Sequence, residues 1–178
     1  MSRVLQRDRT ALVVVDVQEA FREAVGEFDA IARNAAVLVR GARVLGLPVL
    51  VTEQYPRGLG ETVPELAEHL DGIPRLEKVD FSAVRADGFD LGGRDQALVC
   101  GIETHVCVAQ TVADLLDEGL DVQVATDAVS SRTAADRRAG LAKMEAIGAM
   151  STSTEMALFE LLGRAGTPEF KEVQALIK

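Results

Sequence analysis

The sequence predicts an α/β fold: a six-stranded parallel sheet of order 3-2-1-4-5-6, with helices on both faces in three Rossmann-like layers. Short runs rich in Val, Leu and Ile alternate with longer stretches of helical period, the mark of repeated strand–helix–strand units. The strands are apolar without interruption, as in ALVVV at 11–15, which indicates cover on both faces. With 178 residues, no internal repeat and no linker, residues 1–178 read as a single domain able to bury a real core.

Each element has a local reason. After the strand at 11–15, Ile31, Ala35, Leu38, Ala42 and Leu45 fall on one helical stripe, and Gly46 ends that helix. PVLVT (48–52) is the second strand. Residues 53–64 hold two Pro and two Gly without a period and read as a surface loop. A weaker strand spans 75–78, followed by a short helix or turn in 82–90. QALVCGI (96–102) is the fourth strand, and the next helix carries Val108, Val112 and Leu115 before stopping at Gly119. DVQVAT (121–126) is the fifth strand. A helix over 134–147, a short strand near 150–153 and helices over 155–162 and from Pro168 complete the chain. Thr167 is placed as N-cap of the last helix, with Pro168 at its first position.

Composition narrows the functional classes. The net charge of −9 disfavours phosphate backbones and anionic lipid, so neither nucleic acid nor membrane is expected as a partner. No stretch approaches the roughly 20 apolar residues of a membrane span. The opening MSRVLQRDRT is too polar for a secretory signal. Two cysteines, Cys100 and Cys107, make no disulfide framework or zinc spacing, and the expected compartment is the cytoplasm. His69 and His105 are too far apart for a metal motif, and no glycine-rich phosphate loop occurs. No metal and no cofactor are expected; the partner expected is a small-molecule substrate.

In open parallel sheets, ligands bind beyond the carboxyl ends of the strands, where strand order reverses. Asp16 closes the first strand, Glu53 follows the second, Lys78 ends the third, Cys107 follows the fourth and Asp127 the fifth. With the order 3-2-1-4-5-6, Asp16 and Cys107 face each other across the switch point. Bland readings stand beside these: Asp16 as a loop cap, Lys78 as a snorkelling surface lysine, Cys107 as a small buried hydrophobe. Against the last, Cys107 lies near a helix N-terminus, where the macrodipole and free N–H groups favour a thiolate. Cys100, inside LVC, reads as inert core. Phe21, Gln54, Tyr55, Leu59 and Phe81 flank the three reactive residues in sequence and are the candidate pocket walls.

Taken together, VVVDVQEAF, Lys78 before DFSA, and GIETHVC resemble the isochorismatase-like cysteine hydrolases, a family that includes nicotinamidases. TEQYPRGLGETVPEL, DAVSSR, MSTSTE and PEFKEVQALIK are similar to the branch of isochorismatase domain-containing proteins, so the likeness spans nearly the whole chain. It implies an Asp16–Lys78–Cys107 triad and a cis peptide between Ile102 and Glu103. It also implies an oxyanion hole made by the backbone N–H groups of Glu103 and Cys107. The implied reaction is hydrolysis of a small amide-type C–N bond through an acyl-thioenzyme. Glu53, Gln54 and Tyr55 stand where metal-binding nicotinamidases carry an Asp and several His, which argues against a metal. Two alternatives stay open: an isochorismatase-type hydrolase of an enol ether, with Asp16 as the main acid–base group, and a catalytically idle binding or scaffold member. The resemblance further implies a homo-oligomer, dimer or larger, to which the C-terminal face of Phe170, Val173 and Ile177 is one candidate contributor.

Overall fold

β1 (Thr10–Val15) is buried along its whole length, and its side chains divide strictly by parity. Leu12 and Val14 join the core under one face of the sheet; Val13 and Val15 join the core under the other. A period of two with both faces apolar places β1 at the centre of the sheet. The computed structural model describes residues 4–177; residues 1–3 and 178 of the expected single domain lie outside the described residues.

Five further strands are β2 (Val49–Gln54), β3 (Arg75–Lys78), β4 (Gln96–Ile102), β5 (Asp121–Ser130) and β6 (Met150–Thr152). All neighbours pair in parallel, in the order β3-β2-β1-β4-β5-β6. The helices are α1 (Phe28–Leu45), α2 (Pro56–Leu59), α3 (Pro64–Ala67), α4 (Ala109–Asp117), α5 (Ala134–Ala146), α6 (Thr154–Leu162) and α7 (Pro168–Ile177). One core layer unites α1, α6 and α7 with the sheet; the other unites α4 and α5 with its opposite face.

The predicted stripe of α1 is buried at every position, and the helix stops where Gly46 takes φ 71°. The Leu47 N–H then returns to the Ala42 carbonyl, a glycine-dependent close. Thr133, Ser153 and Thr167 each accept a hydrogen bond from a backbone N–H three residues on and cap α5, α6 and α7.

Two segments differ from expectation. Residues 53–64 are not a featureless surface loop. Glu53 and Gln54 extend β2, α2 and α3 follow, and Thr62 and Val63 are buried. The reason is side-chain chemistry: Glu53 Oε1 accepts hydrogen bonds from the Thr62 N–H (2.7 Å) and hydroxyl (2.6 Å), folding the segment inward. β5 also continues four residues beyond Thr126, with a register shift against β4 between Val99 and Gly101. Asp127 sits in that irregular stretch, where its Oδ1 accepts from the Thr154 N–H at the start of α6 (2.8 Å). Arg137 of α5 donates to the Val129 and Thr126 carbonyls and clamps the same stretch.

α7 turns its apolar face inward. Val173 is buried, Ile177 packs on the core, and the Phe170 ring lies 6.3 Å from that of Phe159.

Candidate active site

The order of strands makes β1 and β4 neighbours at the switch point, and the chain concentrates polar groups there. Immediately after β1, Asp16 is wholly buried with φ 52°. Asp tolerates this left-handed conformation better than most residues, and such conformations cluster where function fixes a side chain. β4 approaches closely because Gly101, at φ 124°, pairs with Val15; a Cβ there would overlap the Val15 carbonyl oxygen.

Lys78, last in β3, is 5% exposed. Its Nζ donates to Asp16 Oδ2 (2.6 Å), Gln54 Oε1 (2.7 Å) and the Phe81 carbonyl (3.0 Å), with the Asp80 carbonyl at 3.3 Å. The Thr52 hydroxyl donates to the other Asp16 oxygen (2.7 Å). This set of partners is what allows an ammonium and a carboxylate to be buried together. The reading of Lys78 as a snorkelling surface residue is therefore wrong.

Cys107 lies in a π-helical turn, Thr104–Val108, that leads into α4. Turns of this kind recur at functional sites. The Cys107 thiol is electrostatically coupled to the Asp16 carboxylate, whose two oxygens accept from Lys78 and Thr52. Burial raises the Asp16 carboxyl above its ordinary range, more than Lys78, Thr52 and Cys107 pull it down. Burial first, and the Asp16 charge second, push the Cys107 thiol up to about 12; Lys78 opposes them only in part. The thiolate expected from the helix N-terminus is thus not the resting form, because desolvation and a facing carboxylate outweigh the dipole. The thiolate absorbance difference between wild type and Cys107→Ala should consequently stay flat from about pH 6 to about pH 10. A step near pH 7 would contradict this electrostatic picture.

The Ile102–Glu103 peptide is cis. The Glu103 carboxylate accepts from Arg132 through its backbone N–H (3.1 Å) and its Nε (3.0 Å), tying β4 to the end of β5. His105 Nδ1 faces the Ser131 hydroxyl at 3.0 Å, which holds the imidazole away toward β5. Cys100 is fully buried on the other core layer, and burial raises its thiol strongly. His69 is half-buried in the turn after α3, 3.5 Å from Glu68. Among the described residues no group of three or more His, Cys, Asp and Glu is arranged to hold a metal ion.

Of the candidate walls, Gln54 touches Lys78 directly. Tyr55 and Phe81 stand at the outer rim, about half exposed. Phe21 packs on the core layer of α1, opposite the layer that holds Cys107, and Leu59 is half-buried in α2.

Several supporting residues escaped the sequence reading. Thr52 acts on Asp16 because β1 and β2 pair with Val15 opposite Thr52. Gln18, fully buried, holds the end of β2: its Oε1 accepts from the Gln54 N–H (2.8 Å) and its Nε2 donates to the Gln54 carbonyl (3.0 Å). The Thr111 hydroxyl donates to the Cys107 carbonyl (2.7 Å) and accepts from the Ala83 N–H (2.8 Å). Gly140 lets α5 lie directly against the π-helical turn, since a Cβ there would come within 2.9 Å of His105 Cα and N. Gly→Ala inside a helix ordinarily stabilises. At position 140 the sign should reverse, with a loss of roughly 1–3 kcal/mol in urea denaturation. Gly26→Ala, where a Cβ meets nothing within 4 Å, is the control.

Residues 10–156 match the model of the isochorismatase domain. Isochorismatase domain-containing protein 2 of Homo sapiens is 45% identical over 172 residues, covering 95% of this chain and 83% of that protein. A structure described as MAR1 ribonuclease from Caenorhabditis elegans superposes with TM-score 0.92 at 41% identity, over 98% of this chain and 92% of that one. YcaC from Pseudomonas aeruginosa, solved with hexane-2,5-diol and covalent acrylamide, gives TM-score 0.87 at 28% identity, over 99% and 92%. Sequence match, fold and strand order agree: the chain belongs to the isochorismatase family.

Proposed function

We propose that the protein is a cysteine hydrolase that cleaves a small amide-type substrate through an acyl-thioenzyme, with Cys107 as nucleophile. The observation that carries this reading is a buried carboxylate paired with an ammonium at 2.6 Å and close enough to the Cys107 thiol for their charges to couple. A carboxyl raised by burial is a stronger base than one in water.

In the first step Asp16 takes the Cys107 proton as the sulfur attacks the carbonyl carbon. Lys78 stabilises the thiolate character that develops. The N–H groups of Glu103 and Cys107 are the proposed oxyanion donors; losing one such donor typically costs about 10²–10³ in rate. Asp16 returns the proton to the leaving nitrogen as the C–N bond breaks. Water then gives a proton to Asp16 and attacks the thioester carbonyl; the C–S bond breaks and Asp16 reprotonates the sulfur. Gln54, Tyr55, Leu59 and Phe81 are the proposed walls; Phe21 is set aside, because it packs on the opposite core layer.

Two features support a small substrate over RNA, the reading that the nematode neighbour's name brings. The three reactive groups are at most 6% exposed, and the chain carries net charge −9. A phosphate backbone is repelled by such a charge. Covalent acrylamide in the Pseudomonas neighbour is consistent with a reactive group in a pocket of this fold.

The test is release of ammonia or amine from a panel of primary and N-substituted amides, with RNA cleavage measured in parallel. Turnover of an amide that depends on Cys107 supports the proposal. Cleavage of RNA alone, or of an enol ether with full retention by Cys107→Ala, refutes it.

A further inference from the structure

Glu103 carries a carboxylate that the mechanism does not use, although its backbone N–H is a proposed oxyanion donor. The residue is 7% exposed, yet only one of its carboxylate oxygens is occupied. Oε1 accepts from the Arg132 N–H and from Arg132 Nε, while Oε2 accepts from no group among the described residues. The described polar side-chain atoms sealed without a partner are Ser82 Oγ, Arg94 Nε and Thr104 Oγ1; Glu103 Oε2 is not among them, so it reaches open space. A carboxylate oxygen fixed in a side chain so largely buried is partly stripped of water, and a donor that reaches it is bound strongly.

The backbone sets this carboxylate beside the nucleophile. The Val106 and Val108 N–H groups both donate to the Glu103 carbonyl, at 3.1 and 3.2 Å, and bring Glu103 across one turn from Cys107. The two are near enough that the Glu103 charge helps to raise the Cys107 thiol. The other charges at the thiol are matched to each other, Asp16 with Lys78 at 2.6 Å. The Arg132 side chain is 60% exposed and gives only its Nε to Glu103, so water screens much of its charge. Glu103 thus presents a net acceptor to a ligand at Cys107.

We propose that Glu103 is a specificity-determining residue: its Oε2 receives a nitrogen donor of the substrate, so the site takes small amides that also bear an ammonium group. The choice of amides rests on the hydrolase reading above; the preference for a cationic nitrogen does not. A substrate ending in a carboxylate meets like charge, and one ending in a methyl group leaves the oxygen without its donor. Glu103→Gln reverses the polarity in place. Its carbonyl oxygen can keep both Arg132 contacts, which puts an NH2 group where Oε2 stood.

Two measurements separate the claims. The first needs no turnover: labelling of Cys107 by 2-aminoethyl, propyl and 2-sulfonatoethyl methanethiosulfonate, followed by peptide mass and expressed relative to the denatured chain. The wild type should favour the aminoethyl over the sulfonatoethyl reagent by about 10–100-fold. Glu103→Gln should bring that ratio to within about threefold of one. Glu118→Gln, which removes the same charge from exposed surface at the end of α4, should keep the wild-type ratio. If Glu103→Gln fails to fold, Arg132→Gln decides: with Glu103 no longer opposed, the ratio should rise by about threefold or more. The second measurement is kcat/KM for β-alaninamide, butyramide and succinamate, expected to fall in that order by about tenfold or more at the first step. A labelling ratio near one in the wild type, or one that neither variant moves, overturns the proposal. So does a Cys107 that none of the reagents labels, or butyramide cleaved as well as β-alaninamide. Absence of all amide turnover with the labelling ratios as expected removes the hydrolase reading and leaves the Glu103 site standing.

Discussion

Cys107→Ala is expected to lower kcat for the amide identified by the panel by about 10⁴–10⁶-fold, the range seen when a covalent nucleophile is removed. The fold should survive, because Asp16 keeps Lys78 and Thr52 as partners. Cys107→Ser tests the same point with volume nearly conserved: a hydroxyl offers Asp16 a far less acidic proton, so it should be inactive too. Cys100→Ala should retain turnover, since that thiol lies in the other core layer. The readouts are ammonia release and circular dichroism. Full activity in Cys107→Ala would move the chemistry to Asp16 alone, as the enol-ether alternative requires.

Lys78→Met should be the most destabilising change at the site, by about 3–5 kcal/mol, because it leaves a buried carboxylate without its counter-charge. Asp16 is wholly enclosed, and the Thr52 hydroxyl and Cys107 thiol alone cannot replace an ammonium at 2.6 Å. Adding Asp16→Asn to Lys78→Met should restore much of the stability, since the pair is then neutral, while activity stays lost. The pH dependence has a definite sign. Burial already lifts the Asp16 carboxyl in the folded protein, and removing Lys78 lifts it further. A carboxyl raised above its unfolded value favours folding while it is protonated. That contribution disappears as the pH climbs through the folded titration. Lys78→Met should therefore be more stable near about pH 5 than near about pH 8, and the double variant should lack that slope. Equal stability of wild type and Lys78→Met at neutral pH would refute the coupling. Denaturant midpoints at several pH values measure both effects.

The architecture was legible because strands buried on both faces leave uninterrupted apolar runs, and ALVVV and QALVCGI are such runs. Asp16 and Lys78 were legible as charges at strand ends, where burial is hard to tolerate without a partner. Thr52, Gln18 and Gly140 were not. Each is an ordinary residue type whose importance exists only once register and helix packing are fixed: Thr52 beside Val15, Gln18 across from Gln54, Gly140 under His105. The segment 53–64 misled because Pro and Gly suggest a solvated loop, whereas Glu53 draws Thr62 into the interior. The state of Cys107 misled for a related reason. Position near a helix N-terminus is visible in sequence, but the enclosing apolar layer and the facing carboxylate are not, and those dominate.

The most direct test follows the acyl group itself. With a nitrophenyl ester of the acyl moiety taken from an active amide, acylation outruns deacylation and the intermediate accumulates. Acid quench during turnover and peptide mapping by mass should then find the acyl mass on Cys107, and on no residue in the Cys107→Ala protein. Steady turnover with Cys107 unmodified, or the same acyl mass carried by a different side chain, would contradict a thioester formed at the sulfur that Asp16 and Lys78 enclose.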